Sequence, residues 1–352
     1  MLNRSRVRAF TGPGAEQRAE RVGNWFKAIL GQPEARAWCV NNKIGLTKAT
    51  AESVGSIGGF LAPQECDAAI IAVRETMGAF RQGAEVRPTG TDNKVTPRRF
   101  SGLTCNFVAE GTPIPESSFQ LDAVQTSQKK LAILARASSE LFDDSAADLG
   151  EYLTTEIGYA FASQEDDCGF NGDSTSAYAG IGGLGTRMMG FKSAIAAASA
   201  HNTFLTLDTT DIANLMGGVL ATAIPGAAWY VSALGYAQTI CRLAAISGGL
   251  TAVARPDGRI DATYLGFPVR FSGKLPNTLS SQAGKAMLFF GDLRMSSVLV
   301  ERSQQTVMAV SRDRSLDTDQ VLIRGVQRLD IVNHSIGDAA TLAPVAMLVG
   351  TA

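Results

Sequence analysis

Apolar residues recur at helical spacing in three stretches of this chain. In the first, Ala19, Val22, Phe26, Ile29 and Leu30 share one side of a 3.6-residue repeat, which predicts an amphipathic helix over 17–30. Gly31 and Pro33 end it. In the second, Ala69, Ile70, Val73 and Met77 predict a helix over 65–80. The third is the longest. Leu149, Tyr152, Leu153, Ile157, Ala160 and Phe161 form one apolar stripe in a helix predicted over 139–168. Ser145, with Asp148 three residues on, fits a capping box near its start. Its end is unusual, because Glu165, Asp166 and Asp167 sit where the helix dipole is negative. Unpaired acids there cost from a few tenths to about 1 kcal/mol each. Basic groups from the N-terminal lead-in or from the hairpin described next are expected to offset them, within the chain or across an interface.

Between the second and third helices the pattern changes. Over 84–128, Val86, Val95, Phe100, Leu103, Phe107 and Val108 are scattered among Thr, Gly, Asn and Pro, and a turn is expected at 89–93. This reads as a two-stranded excursion with little to bury. A lone hairpin is marginal in water, so it must lean on something, and a partner subunit is the natural candidate. Arg81, Arg87, Lys94, Arg98 and Arg99 make its first half basic. Residues 205–300 read as mixed α/β, with helices at 215–223 and 237–245 and strands at 228–233, 264–271, 286–291 and 297–300. Pro268 interrupts the second of these strands, which suits a sheet edge or a strand start. Residues 320–334 alternate imperfectly through Val321, Ile323, Val326, Leu329 and Ile331, as a long strand with a bulge near Gly325 would.

Composition narrows the class. The chain has 352 residues, 45% of them hydrophobic, enough for one large or two to three smaller domains. Net charge is −1, which argues against a globally basic nucleic-acid binder. Only 18% of residues are charged, against a typical value of roughly 25%. With 36 glycines, such a chain suits a protein that hides surface between subunits. The first 36 residues are the exception, since seven bases and three acids give them a local charge of +4. Arg4, Arg6 and Arg8 near the N-terminus loosely match a mitochondrial presequence, but Glu16 and Glu20 soon break that pattern. No apolar run reaches the roughly 18–20 residues of a membrane helix. The five cysteines, Cys39, Cys66, Cys105, Cys168 and Cys241, form no CxxC pair and read as small buried thiols in a reducing compartment.

Candidate chemistry is sparse. Gly180, Gly182 and Gly185 formally match GxGxxG, but a polar loop precedes them and no acid lies between Asp173 and Asp208. The dinucleotide fingerprint needs a strand before, a helix after and an acid about 20 residues on. Ser127 and Lys130 fit SxxK without its companion motifs. His201 and His334, the two histidines, lie in no nucleophile or ligand context. Asp143, Asp144 and Asp148 could be paired carboxylates, yet capping explains them. No catalytic, cofactor or metal site is expected.

Several local features stand in a fixed order. Gly58-Gly59-Phe60-Leu61-Ala62-Pro63 opens the body, followed by Val108-Ala109-Glu110, Ser139-Glu140-Leu141 and Phe170-Asn171-Gly172. Tyr264-Leu265-Gly266-Phe267-Pro268-Val269, Phe290-Gly291-Asp292 and Arg328-Leu329-Asp330 come later. In this order they resemble the major capsid proteins of tailed bacteriophages, the Hong Kong 97-like family, over roughly residues 58–345. The resemblance implies an α+β fold with an N-terminal arm (1–57), a peripheral domain beginning at 58–83, and an extended loop (84–128). It continues with peripheral residues 129–204 that include a spine helix (139–168), an axial domain (205–300), return strands (301–334) and a C-terminal strand and tail (335–352).

It also implies a structural, non-enzymatic function. Hexamers and pentamers would form an icosahedral head around double-stranded DNA, assembled in the host cytoplasm. Copies of the chain itself would be the main partners. Scaffold, portal and decoration proteins would be others, DNA would be touched non-specifically at most, and no membrane would be involved. The lead-in is then either a helix docked on the body or an arm reaching a neighbour, with protein contact favoured over nucleic acid. Arg87, Lys94, Arg98, Arg99, Glu110, Glu165, Asp166 and Asp167 are the expected inter-subunit contacts. Some members of the family join a loop lysine to an asparagine by an isopeptide bond, promoted by a buried glutamate. Lys94 matches the lysine, but Asp319 and Val326 occupy the other two positions, which implies non-covalent assembly. The short lead-in implies a separate scaffold or prior processing. An encapsulin-like compartment and a soluble α/β enzyme are the alternatives.

Overall fold

In the computed structural model the described residues are 8–46, 60–101, 105–108, 113, 115–117, 120–138, 146–247, 252–254, 260–302, 306–311 and 320–352. The landmarks at 58–59, 109–110 and 139–145, with Ser145 of the expected capping box and Asp319, lie outside them.

The lead-in folds into α1 (Ala15–Ile29) and α2 (Pro33–Asn41). After residue 60 come α3 (Gln64–Met77), α4 (Ala79–Gly83) and the long α5 (Ala146–Asn171). Both α1 and α3 pack on α5. Val22, Trp25 and Phe26 of α1 are fully buried there. Glycine makes the α1–α5 crossing close. A Cβ on Gly23 would lie 1.6 Å from the Ala146 carbonyl oxygen, and one on Gly150 would lie 2.2 Å from that of Ala19. Of the two readings of the lead-in, its helical part therefore follows the docked one. The helix expected over 65–80 is interrupted at Gly78, whose extended backbone separates α3 from α4.

The first sheet lies against these helices. Its order is β1 (Phe60–Leu61), β13 (Val307–Ser311), β14 (Gln320–Asn333), β12 (Ser297–Arg302) and β2 (Glu85–Thr89). β5 (Lys129–Ser138) covers the other flank of β14 in ten register pairs, from Gln320 opposite Ser138 to Leu329 opposite Lys129. Leu131, Ile133, Val321, Ile323 and Met308 face the core beneath the helices. The bulge expected near Gly325 is absent, because pairing with both neighbours runs through it without a slip. Gly325 instead clears space: an added Cβ would meet Ile133 Cγ2 at 2.9 Å and the Met308 sulfur at 3.3 Å.

The second sheet runs β6 (Ala194–Ala196), β15 (Val345–Val349), β11 (Ala286–Gly291), β7 (Ala228–Val231), β10 (Phe267–Phe271), β9 (Ile260–Tyr264) and β8 (Ala252–Ala254). Its middle strands are dry, with Trp229, Tyr230, Phe289 and Phe290 at most 1% exposed. Phe170 at the end of α5 stacks on Phe289, ring centroids 5.3 Å apart, and ties the two halves together. The strand expected over 264–271 is two strands, turned at Leu265 and Gly266, both of positive φ. Pro268 lies inside the sheet, but pairing with β7 starts only at Val269, so no ladder bond is lost.

The short helix α6 (Leu184–Arg187) precedes α7 (Thr209–Gly217), which begins earlier than the helix expected at 215–223. Asp208 sets that start, its side chain accepting from the N–H groups of Thr210 and Asp211. The helix expected at 237–245 is present, with a wider turn over Tyr236–Cys241. The strand read at 297–300 with the 205–300 segment pairs instead in the first sheet, as β12.

β3 (Asn93–Ser101) and β4 (Gln120–Ser127) stand apart as a two-stranded antiparallel ladder. The turn expected at 89–93 is the step from β2 in the sheet to β3 in the hairpin. β4 then returns to the sheet through the single residue Gln128.

Candidate assembly site

The hairpin is fastened at its base by two aspartates. Asp92 pairs with Arg302 at 2.8 Å and with Arg328 at 3.4 Å. Asp330 accepts the Ser127 N–H at 2.8 Å and pairs with Lys129 at 2.6 Å. Between these anchors the hairpin overhangs β12 and β2. The crevice so formed is lined by Arg87, Lys94, Arg98, Val124, Val298 and His334. Burial, with the Arg98 and Arg87 charges, holds His334 below its usual pKa.

Three of the expected contact residues thus meet at one place. Arg87 is paired with Glu85 at 2.7 Å. Arg98 is paired with Asp122, its register partner across the ladder, at 2.6 Å, and this pairing holds the Asp122 carboxyl below the usual range. Lys94 is exposed. Arg99 is opposite Leu121 in the ladder, and Glu110 lies outside the described residues. Beyond the ladder Phe107 is fully exposed and Val108 is 38% exposed.

The acids at the end of α5 have a different role from the one expected. Glu165 is 1% exposed and pairs with Arg74, which is completely buried. Arg74 also donates to Gln327 of β14 at 2.7 Å and to Glu301 of β12 at 3.3 Å. Arg81 of α4 closes the cluster with two bonds to Glu301, at 2.9 and 3.1 Å. Burial alone would raise the Glu301 carboxyl, but the Arg81 and Arg74 guanidinium groups outweigh it and hold it low. Two arginines and two glutamates therefore form a neutral hub joining α3, α4, α5 and the first sheet.

Asp166 is 4% exposed and caps α4, accepting the Phe80 N–H at 2.8 Å and the Ala79 N–H at 3.3 Å. It also accepts from Ser272 Oγ at 2.7 Å, just past β10. Burial pushes its carboxyl up to about 6 despite these bonds, and neighbouring Glu165 adds to the rise. Asp167 is half-buried, 3.6 Å from Lys274 and bonded to Asn171. The cations that offset the helix end are thus Arg74 of α3, Lys274 after β10 and Arg81, which was read with the hairpin but lies in α4; none comes from the lead-in or from the β3–β4 ladder. Glu165 and Asp166 face the interior of the protomer and reach no surface.

The sequence held a signal for the hub. Arg74 lies four residues after Ile70 and beside Val73, on the apolar stripe of α3, where a cation must be paired if it is buried.

The weak motifs resolve into structure. The GxGxxG match has no strand before it and only four-residue α6 after it, and a Cβ on Gly183 would meet the Gly172 nitrogen at 2.4 Å. In the SxxK match the Ser127 N–H and the intervening Lys129 both bind Asp330, while Lys130, the motif lysine, is exposed. His201, Asp208 and Asp211 bring donor atoms within 4.8 Å of one another. The two aspartates there accept backbone N–H groups at the start of α7, and His201 pairs with Asp211 at 2.5 Å. The thiol reading holds for Cys39, Cys66 and Cys168, which are buried, but Cys105 is exposed and Cys241 partly so. Among the described residues no helix is long and apolar enough to cross a membrane.

The profile of the phage capsid family matches residues 58–334. No curated protein sequence matches the chain. Among solved structures, the capsid of an empty GTA particle is similar with TM-score 0.54 and 18% identity, covering 89% of this chain and 98% of that one. A Mycobacterium phage Cain structure follows with TM-score 0.52 and 15% identity, covering 90% and 97%. One from Mycobacterium phage Adephagia has TM-score 0.51 and 16% identity, covering 90% and 98%. At these identities the likeness is one of fold, and it is the Hong Kong 97-like α+β fold.

Proposed function

This chain belongs to the phage capsid family, and on that premise we propose that it assembles as hexamers and pentamers into an icosahedral head enclosing double-stranded DNA. The observation that carries the reading is the β3–β4 ladder. It overhangs β2 and β12 instead of joining either sheet, exposes Val95 at 61%, leads on to the fully exposed Phe107, and has no core of its own. An isolated two-stranded ribbon is marginal in water. Contact with a neighbouring copy supplies the missing burial, and a closed shell supplies that contact to every copy. Residues 84–128 are then the loop laid over a neighbour, α5 the spine of the peripheral domain, and most of the second sheet the axial domain. Arg87, Lys94, Arg98, Arg99 and Glu110 act at the subunit boundary in this reading, with Asp167. Glu165 and Asp166 act by holding the protomer rigid. Assembly is non-covalent in this reading, since Asp319 and Val326 stand where the crosslinking pattern has asparagine and glutamate, and it proceeds in the host cytoplasm.

Negative-stain microscopy with size-exclusion chromatography on the full chain tests this. Hexamers, pentamers or closed shells are expected, and shells from infected cells should protect DNA from nuclease. A chain that stays monomeric at all concentrations, with and without a coexpressed scaffold protein, refutes it.

A further inference from the structure

The crevice between the hairpin and the first sheet gathers more positive charge than its own acids neutralise. Lys94 and Arg98 line it from the hairpin, Arg87 and His334 from the sheet. Its floor is apolar, because Val298 and Val300 are buried there. Glu85 answers Arg87, and Asp122 answers Arg98. Lys94 is exposed and has no ion-pair partner among the described residues. Each arginine uses only Nε and Nη2 on its carboxylate, at 2.6 to 3.1 Å. Among the described residues the Nη1 groups of both are therefore left to donate elsewhere. Arg187 of α6 adds a further cation next to His334, donating to the Asn333 carbonyl at 2.7 Å. These like charges act on one another. Burial, then Arg98 and Arg87, lower the His334 imidazole against the pull of Glu85. Desolvation, then Arg98, lowers even the Arg187 guanidinium.

Uncompensated cations above an apolar floor attract an anion, and the low local dielectric strengthens each contact. We propose that this crevice takes one compact oxyanion, phosphate or sulfate, and that the anion clasps the hairpin to the first sheet. The space, about 90 Å³, admits one tetrahedral ion or a few waters. The anion's oxygens accept from Lys94 Nζ and Arg98 Nη1 on the hairpin, and from Arg87 Nη1 and the protonated His334 ring on the sheet. Asp92 and Asp330 fasten only the base of the hairpin. Arg98 stands six residues past Asp92, about 20 Å further out at roughly 3.3 Å per residue. An anion held there fixes the tilt of the ladder as well as its root. Anion and proton favour each other at this site, and by linkage to the same extent. The site lies within one protomer, so it does not depend on assembly.

Deuterium exchange at the histidine C2 position, read by mass spectrometry, tests this on the full chain, free or in particles. The chain has two histidines, and His201, held by Asp211, is the internal control. Inorganic phosphate should raise the His334 pKa by about one unit over chloride of matched ionic strength, as an opposite charge beside a titrating group does. His201 should not move. By linkage, phosphate then binds about tenfold tighter to the chain with His334 protonated. Backbone amide exchange over β3 and β4 should slow with phosphate. Lys94→Gln, an exposed change expected to leave circular dichroism unaltered, should abolish both responses. Equal shifts in chloride and phosphate would mean salt screening alone and would overturn the proposal. So would parallel shifts of both histidines, or a full response from Lys94→Gln. A His334 shift without slower amide exchange would overturn the clasp. Duplex DNA at the same phosphate concentration should leave His334 unmoved, because the hairpin roofs the crevice. A shift as large as that from free phosphate would make the site a nucleic-acid contact and overturn the compact-ion assignment.

Discussion

Removing Arg74 should unbalance the hub more than any surface change could. Arg74→Leu deletes one of two cations and leaves Glu165, 1% exposed, with only Arg81 at 3.8 Å. It also leaves Gln327 Oε1 without its donor. Breaking a buried pair by removing one partner costs about 3–5 kcal/mol, because the remaining charge stays desolvated. The second change, Glu165→Leu, should return most of that. The double variant keeps Arg81 and Glu301 as a neutral pair with both of their hydrogen bonds. Apolar replacement of a whole buried pair is often neutral or stabilising. The expected double-mutant cost is therefore under about 2 kcal/mol, with a coupling energy of about 2–4 kcal/mol. Urea unfolding of the unassembled chain, followed by circular dichroism, measures each arm of the cycle. The reasoning fails if the double variant costs the sum of the singles within about 0.5 kcal/mol, or if Arg74→Leu alone costs under about 1 kcal/mol.

Three further outcomes follow from the geometry. Gly150→Ala should destabilise by about 1–3 kcal/mol or more, since its Cβ would meet backbone 2.2 Å away and helix propensity returns only about 1 kcal/mol. Gly217→Ala, with nothing within 4 Å, should be neutral or mildly stabilising in the same urea unfolding experiments. Asp166, raised from 3.8 to about 6 in the fold, binds its proton more tightly folded than unfolded, so its contribution to stability grows as pH falls through 6 and is complete below 3.8. That amounts to about 2 kcal/mol between pH 7 and 4, and about 3 kcal/mol at its full extent at lower pH. His334 is lowered and acts in the opposite direction, losing stability as pH drops below 6.5. Asp166→Asn should therefore flatten the rise with acid in denaturant titrations, and an unchanged pH profile would contradict the burial argument. Denaturing gels of mature particles should show single-chain bands, and a ladder would mean that Lys94 finds a covalent partner after all.

The helices and the hairpin were readable because their causes are local. The α1, α3 and α5 stripes follow from periodicity, and β3–β4 from a stretch with little to bury. What escaped reading depended on distant partners. Gly325 reads as a bulge in one dimension, and only the approach of Ile133, nearly two hundred positions earlier, makes it a clearance. Glu165 to Asp167 read as a surface run because nothing in their own helix reveals Arg74 or Ser272. The split of 264–271 was missed for a nearer reason, as its apolar run conceals a two-residue turn with positive φ. For the candidate site, Arg87, Lys94 and Arg98 were named from charge, but their shared crevice needed the fold.

The joint between hairpin and sheet also determines how this molecule carries force. Tension on the hairpin passes along β4 and Gln128 into β5, which runs along the pull while its ten pairs with β14 lie across it. Loaded that way the rungs must slide together, whereas a perpendicular pull would open them singly like a zipper. The Lys129–Asp330 pair stands at the first rung, where the load enters. A wall of such subunits, strained outward by its contents, would meet that stress with β14, its longest strand, as a tie-bar.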